Sequence, residues 1–350
     1  MKEKNNTSRA EKLFAKTEGE NLKEVQGLGF FPVSSLGLIR SGFGKGICEA
    51  ATTNKNIVAL TADLRDSLKL GEFAKEFPER YFEAGICEQN MLSAAAGMTL
   101  NNKVPFVTSY AVFNPGRNWD QLRVSVCYSN CNVKIIGGHA GLGTGPDGAT
   151  HQALEDMAIT RVLPNLTVIV PCDEEEARQA TLAAAAYKGP VYLRLSREKS
   201  LHILTKKDTF QIGKIQVLER GKDITIIACG LALQFALKAS LELRKKGISA
   251  EVLNCSTIKP FDEKTVLKSL AKTRCVVSVE EHQIAGGLGS VLAETLSQKL
   301  PLPLERVGVN DSFGESGEGY ELLEKYGIST ANIVKAAKKV LKRAGKKASK

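Results

Sequence analysis

From residue 38 onwards, short β-branched runs alternate with longer helix-forming stretches, and this alternation limits the possible folds more than any other feature. Residues 56–60, 104–110, 133–136, 166–170 and 191–195 read as buried strands. Residues 41–54, 88–100, 118–128, 152–162 and 173–187 read as the helices between them. A strand that feeds a helix and then another strand implies a parallel sheet covered on both faces. A second series follows a polar stretch, with strands expected over 224–229, 250–254 and 276–279. Its helices are expected over 231–246, 262–271, 286–299 and 330–343. The expected fold class is therefore α/β in two domains, each a mostly parallel sheet flanked by helices. The length of 350 residues suits two domains at about 150 residues each. The expected division is a mobile arm or loose helix over 1–28, a first domain over 29–200, a linker over 201–222, a second domain over 223–343 and a basic tail over 344–350.

The net charge of +10 invites a nucleic-acid reading, so its location matters. Residues 335–350 hold eight Lys or Arg and no acid, residues 1–28 carry six bases and five acids, and the body between them is near neutral. A nucleic-acid contact would thus fall to the tail alone, and such a partner is not expected. No run of 18 apolar residues occurs, and the first 25 residues lack the apolar stretch of a secretory signal, so a cytoplasmic protein is expected. The eight cysteines are then expected as reduced thiols. Cys127 and Cys131 lack a second pair at zinc spacing, so no metal site is expected in this chain.

Several segments could carry chemistry. In 81–90 (YFEAGICEQN), Glu88 stands at a helix start among apolar neighbours. It reads either as a carboxylate favoured by the helix dipole or as a buried acid of raised pKa that shares a proton with a ligand nitrogen. In 137–152 (GGHAGLGTGPDGATHQ), six glycines allow close backbone approach, and His139 and His151 bracket Asp147 at the end of a strand. In 106–121 (FVTSYAVFNPGRNWDQ), Tyr110 and Phe113 end a strand, as core or as a stacking face for a heteroaromatic ring. Arg40, Ser67 and Arg197 fall at element boundaries, where an arginine fork suits phosphate. The glycines of 280–290 (EEHQIAGGLGS) do not make a dinucleotide loop and read as helix–strand packing.

Taken together, GICEQNM, the aromatic strand end with GRNWDQ, and GLGTGPDGATHQALED strongly resemble the transketolase family of thiamine-diphosphate enzymes. PCDEEEAR, YLRLSRE and EEHQIAGGLGS match later landmarks of the family in the same order, so the resemblance spans about 38–343. It implies a pyrimidine-binding domain followed by a transketolase C-terminal domain. The family's diphosphate-binding domain carries a Gly-Asp-Gly motif, which this sequence lacks. The resemblance therefore implies the C-terminal subunit of a split transketolase, completed by a separate N-terminal subunit. Self-association to α2β2 is expected with it.

Residue by residue, the resemblance implies that Glu88 bonds N1′ of the cofactor pyrimidine and favours its imino tautomer. Phe113 stacks on that ring, Tyr110 lines the pocket, and Leu64 contacts the ring. Arg40, Ser67, His139 and Arg197 meet the sugar phosphate. Asp147 and His151 meet the sugar hydroxyls and carbonyl, and His151 also helps to move protons. Thiamine diphosphate is the implied cofactor, with a divalent metal (Mg or Ca) held mainly by the partner. The implied reaction moves a two-carbon ketol unit from a ketose phosphate to an aldose phosphate, as in the pentose phosphate pathway. Arg117 aligns only with a one-residue shift and has no assigned role. A 1-deoxyxylulose-5-phosphate synthase, a 2-oxo acid dehydrogenase β subunit and a non-catalytic partner are the competing readings. His139 and the DGATHQ loop favour transketolase over them.

Overall fold

The computed structural model describes residues 7–15 and 22–346. The first sheet has seven strands: β1 (Ile57–Thr61), β2 (Tyr81–Glu83), β3 (Val104–Tyr110), β4 (Lys134–Gly138), β5 (Thr167–Ile169), β6 (Val191–Arg194) and, from later in the chain, β10 (Thr257–Lys259). The second sheet has β7 (Gln216–Glu219), β8 (Ile224–Ala228), β9 (Ala250–Asn254), β11 (Val276–Gln283) and β12 (Leu304–Val309). Their orders are β10-β5-β6-β4-β3-β1-β2 and β7-β9-β8-β11-β12. Only β10 on β5 and β7 on β9 are antiparallel; every other pairing within these two sheets is parallel. The chain is an α/β protein of two mostly parallel sheets flanked by helices, as the alternation predicts.

Parallel strands buried on both faces need helices on both faces. On the first sheet α1 (Ile39–Thr53) and α3 (Glu174–Ala186) lie side by side, and α2 (Glu88–Thr99) follows β2. On α1 the buried residues Ile39, Phe43, Ile47 and Ala50 recur at helical spacing and form its core stripe. Gly42 lets the two helices approach closely: a Cβ there would sit 1.9 Å from the Glu174 carbonyl oxygen. On the second sheet lie α4 (Leu233–Arg244), α5 (Glu263–Thr273), α6 (Leu288–Lys299) and α7 (Thr330–Arg343). Asp173, Asp262 and Ser329 cap α3, α5 and α7 through their side chains, at the helix starts the sequence marks.

Several segments differ from the sequence expectation. The 201–222 stretch carries β7, and Lys199–Leu201 pairs with Leu36–Leu38. Asp208 within it is tied to Arg9 at 2.5 Å. The described part of the N-terminal arm holds a short helix, Arg9–Leu13, whose Ala10 amide donates to buried Glu219. The 118–128 helix is an α-turn that passes into a π-helix over Leu122–Tyr128. The basic residues near the C-terminus are largely part of α7, where Lys339 and Arg343 both pair with Glu305. The end of the tail, 347–350, lies outside the described residues. Among the described residues no helix is long and apolar enough to cross a membrane.

Candidate active site

In the first sheet β2 lies to one side of β1 and β3 to the other, so the chain reverses its winding between β1 and β3. Ligand crevices of open α/β sheets form at the carboxyl ends of strands beside such a reversal. Leu64 and Ser67 follow β1, Glu88 follows β2, Tyr110 ends β3 with Phe113 in the turn just beyond it, and His139 follows β4.

Gly85, with φ +72°, turns the chain from β2 towards α2, and Glu88 is the first residue of that helix. Its carboxylate is 1% exposed. Ser109 Oγ donates to Glu88 Oε1 at 3.1 Å, and Arg117 Nη1 donates to Oε2 at 2.7 Å. The acid is therefore buried but partnered, which offsets its desolvation. Two fully buried asparagines support it. Asn118 donates to the Glu88 carbonyl at 3.2 Å and to Asn114 Oδ1 at 2.9 Å, and Asn114 donates to the carbonyls of Val107 and Ile136. The sequence reading missed both, although two Asn four apart at a strand-to-helix turn are a visible signal for polar scaffolding.

Tyr110 and Phe113 lie 6.3 Å apart with rings 12° from parallel. His139 stacks on Tyr110 at 3.9 Å, and His151 sets its ring edge-on to Phe113 at 5.4 Å. The Tyr110 hydroxyl donates to Ser67 Oγ at 3.3 Å. Arg40 Nη1 lies 2.8 Å from His139 Nε2. An arginine always donates, so Nε2 accepts and Nδ1 carries the hydrogen. Burial, with the cations Arg40 and Arg197, pushes His139 down to about 3. Burial and Arg197 also lower Arg40. Arg40 Nε and His139 Nδ1 are buried without hydrogen-bond partners. Two unanswered donors beside crowded cations suit an anionic, oxygen-rich ligand.

The structure thus gathers Glu88, Tyr110, Phe113, His139, His151, Arg40 and Ser67 into one cluster. Leu64 is half-buried in the loop that carries Ser67. Arg197 reaches Glu198 at 3.5 Å, and its charge acts on Arg40 and His139. Asp147 is exposed at the end of the turn Leu142–Asp147, in the loop between His139 and His151. Among the described residues no group of three His, Cys, Asp or Glu is placed to hold a metal ion.

The second domain reaches into this site. The Gly143 amide, in the His139 loop, donates to Glu281 Oε1 at 2.7 Å, and Gln152 donates to the Glu315 carbonyl at 2.9 Å. Glu281 is buried, and burial raises its carboxyl to about 7 against the opposing pull of Arg194. Neighbouring Glu280 accepts from the amides of Leu288 and Gly289, and a Cβ on Gly287 would meet Glu280 Oε2 at 2.0 Å. The glycines of that segment thus serve packing at a helix start.

Residues 38–201 match the family model for the transketolase pyrimidine binding domain, and residues 213–333 match that for the transketolase C-terminal domain. The chain belongs to the transketolase family. It is 44% identical to a protein of Methanocaldococcus jannaschii provisionally assigned as a transketolase C-terminal section, over 87% of this chain and 96% of that one. It is 42% identical to the 6-deoxy-6-sulfo-D-fructose transketolase subunit of a Clostridium species, over 85% of this chain and 92% of that one. Among solved structures, a split-gene transketolase described as an inactive β4 tetramer superposes with a TM-score of 0.82 at 44% identity, covering 87% of this chain and 98% of the other. The transketolase fold therefore stands behind the cluster at Glu88.

Proposed function

We propose that this chain is the C-terminal subunit of a cytoplasmic, thiamine-diphosphate-dependent transketolase that works only with a separate N-terminal subunit. The observation that carries the reading is the juxtaposition of buried Glu88 with the Phe113–Tyr110–His139 stack at the sheet reversal. The site fits the cofactor's pyrimidine: Glu88 offers a buried carboxylate, and Phe113 offers a flat face already covered by the planar Arg117 guanidinium. When bound, the cofactor supplies an electron sink for cleavage of a carbon–carbon bond beside a carbonyl. This chain's residues hold and orient the reactants. Glu88, positioned by Ser109, would hold the ring at N1′ and share a proton with it. Leu64 and Tyr110 close the ring's surroundings. Arg40, His139 and Arg197, with Ser67, take the anionic end of the ketose or aldose. His139, kept neutral, donates through Nδ1. Asp147 and His151 meet the hydroxyl and carbonyl end, and His151 moves a proton there.

No Gly-Asp-Gly occurs in the sequence, so the diphosphate and its divalent metal (Mg or Ca) fall to the partner. Self-association, as in α2β2, accompanies that pairing. Mixing this chain with its N-terminal subunit, thiamine diphosphate and Mg²⁺ tests the reading. We expect no turnover from either chain alone and two-carbon transfer from xylulose 5-phosphate to ribose 5-phosphate by the pair. Activity of this chain alone would overturn the split site. Turnover of pyruvate with glyceraldehyde 3-phosphate instead would assign a synthase. A 6-deoxy-6-sulfo-ketose as the preferred donor would keep the two-carbon transfer and change the anion to a sulfonate.

A further inference from the structure

We propose that Arg117 is a placeholder for the pyrimidine ring, occupying its two contacts in the free chain and turning out when the ring enters. The proposal rests on the reading of the Glu88–Phe113 pocket given above. Arg117 Nη1 donates to Glu88 Oε2 at 2.7 Å, and the guanidinium carbon lies 4.5 Å from the centre of the Phe113 ring. A planar group that donates to the carboxylate and covers the aromatic face is what an aminopyrimidine would also be.

The local backbone explains the placement. The Arg117 amide donates to the Phe113 carbonyl at 3.1 Å, so residues 113 and 117 lie one turn apart on one side. Gly116 permits this tight turn, because a Cβ there would lie 2.0 Å from the Val112 carbonyl oxygen. The arginine is free to leave, since its side chain is 43% exposed against 1% for Glu88. Glu88 is not free to be left alone: a buried carboxylate stripped of its cation is costly. Ser109 holds only one of its oxygens. An incoming ring that donates to Glu88 and stacks on Phe113 replaces both contacts at once, so departure of the arginine and entry of the ring are a single exchange.

Such an exchange weakens cofactor binding by the fraction of molecules in which the site is open. The test is calorimetric titration of thiamine diphosphate into the reconstituted pair in Mg²⁺. With Arg117→Ala we expect the Kd to fall by about threefold or more. Arg117→Gln, which keeps most of the volume, should tighten binding in the same direction. An unchanged or weaker Kd in both variants would overturn the proposal. In the Arg117→Ala background, Phe113→Ala should weaken binding because the ring then loses its stacking face. No weakening there would refute the pocket itself, and the placeholder with it. Weakening there without tightening by Arg117→Ala would refute the placeholder alone.

Discussion

Arg40 donates to His139 across 2.8 Å, joining the first turn of α1 to the loop after β4. The bond needs a neutral imidazole, because a protonated ring would have no acceptor to offer and would face a second, half-buried cation. This fixes the sign of a pH effect. His139 is held down to about 3 in the folded chain, against about 6.5 when unfolded. The unfolded state therefore binds more protons below about pH 6.5, and stability falls as pH drops from there towards the folded value. Between pH 7 and 5 the expected loss from this residue is on the order of 1–2 kcal/mol. Urea unfolding of the wild type and His139→Gln at both pH values checks it. The variant should lose less stability on acidification, and an equal loss in both would refute the assignment.

Glu88→Gln keeps the size of the side chain and removes the charge. In the reconstituted pair we expect turnover to fall by a factor of about 100 or more, the scale of a lost proton-sharing group. Far-UV circular dichroism should be unchanged, because Arg117 can turn to water. Near wild-type turnover would remove Glu88 from the chemistry.

Glu281 offers a way to disturb, from the other domain, the loop that carries His139 and His151. Glu281→Ala leaves the buried Gly143 amide without an acceptor, at a cost of about 1–3 kcal/mol. The loop that carries His139 and His151 should loosen. The expected readout is a higher KM for the sugar phosphate with a smaller change in kcat. Glu281→Gln, which still accepts from Gly143, should restore most of the KM. If it fails to do so while the fold is intact, the loop is not what Glu281 positions.

The C-terminal basic residues can be tested by truncation. Deleting 335–350 removes Ala337, Val340 and Leu341 from the core and should cost about 5 kcal/mol or more. By contrast, Lys339→Gln and Arg343→Gln, on exposed side chains, should each cost under about 1 kcal/mol. Thermal unfolding separates the two cases. A truncated chain that melts with the wild type would mean that α7 does not stabilise the fold.

The strand–helix alternation, the capped helix starts and the order of the motif loops were legible in the sequence because each depends on neighbours a few positions apart. Period and capping are local properties, so 104–110 and 250–254 could be read as strands with the bounds the structure shows. Glu88, Phe113 and His139 were legible as site candidates for the same reason, since each stands where a strand gives way to a turn or helix. What local pattern could not supply was the partner of each group. Arg117 lies 29 positions from the carboxylate it pairs with, and Gly143 lies 138 positions from Glu281. Nor does anything near Thr257–Lys259 announce that it crosses back to extend the first sheet. These pairings arise when the two sheets close and buried polar groups must find acceptors and donors wherever the fold has brought them. The sequence alone thus determined the architecture and offered Glu88, Phe113 and His139 as candidates, and only the tertiary structure decided which residues hold one another.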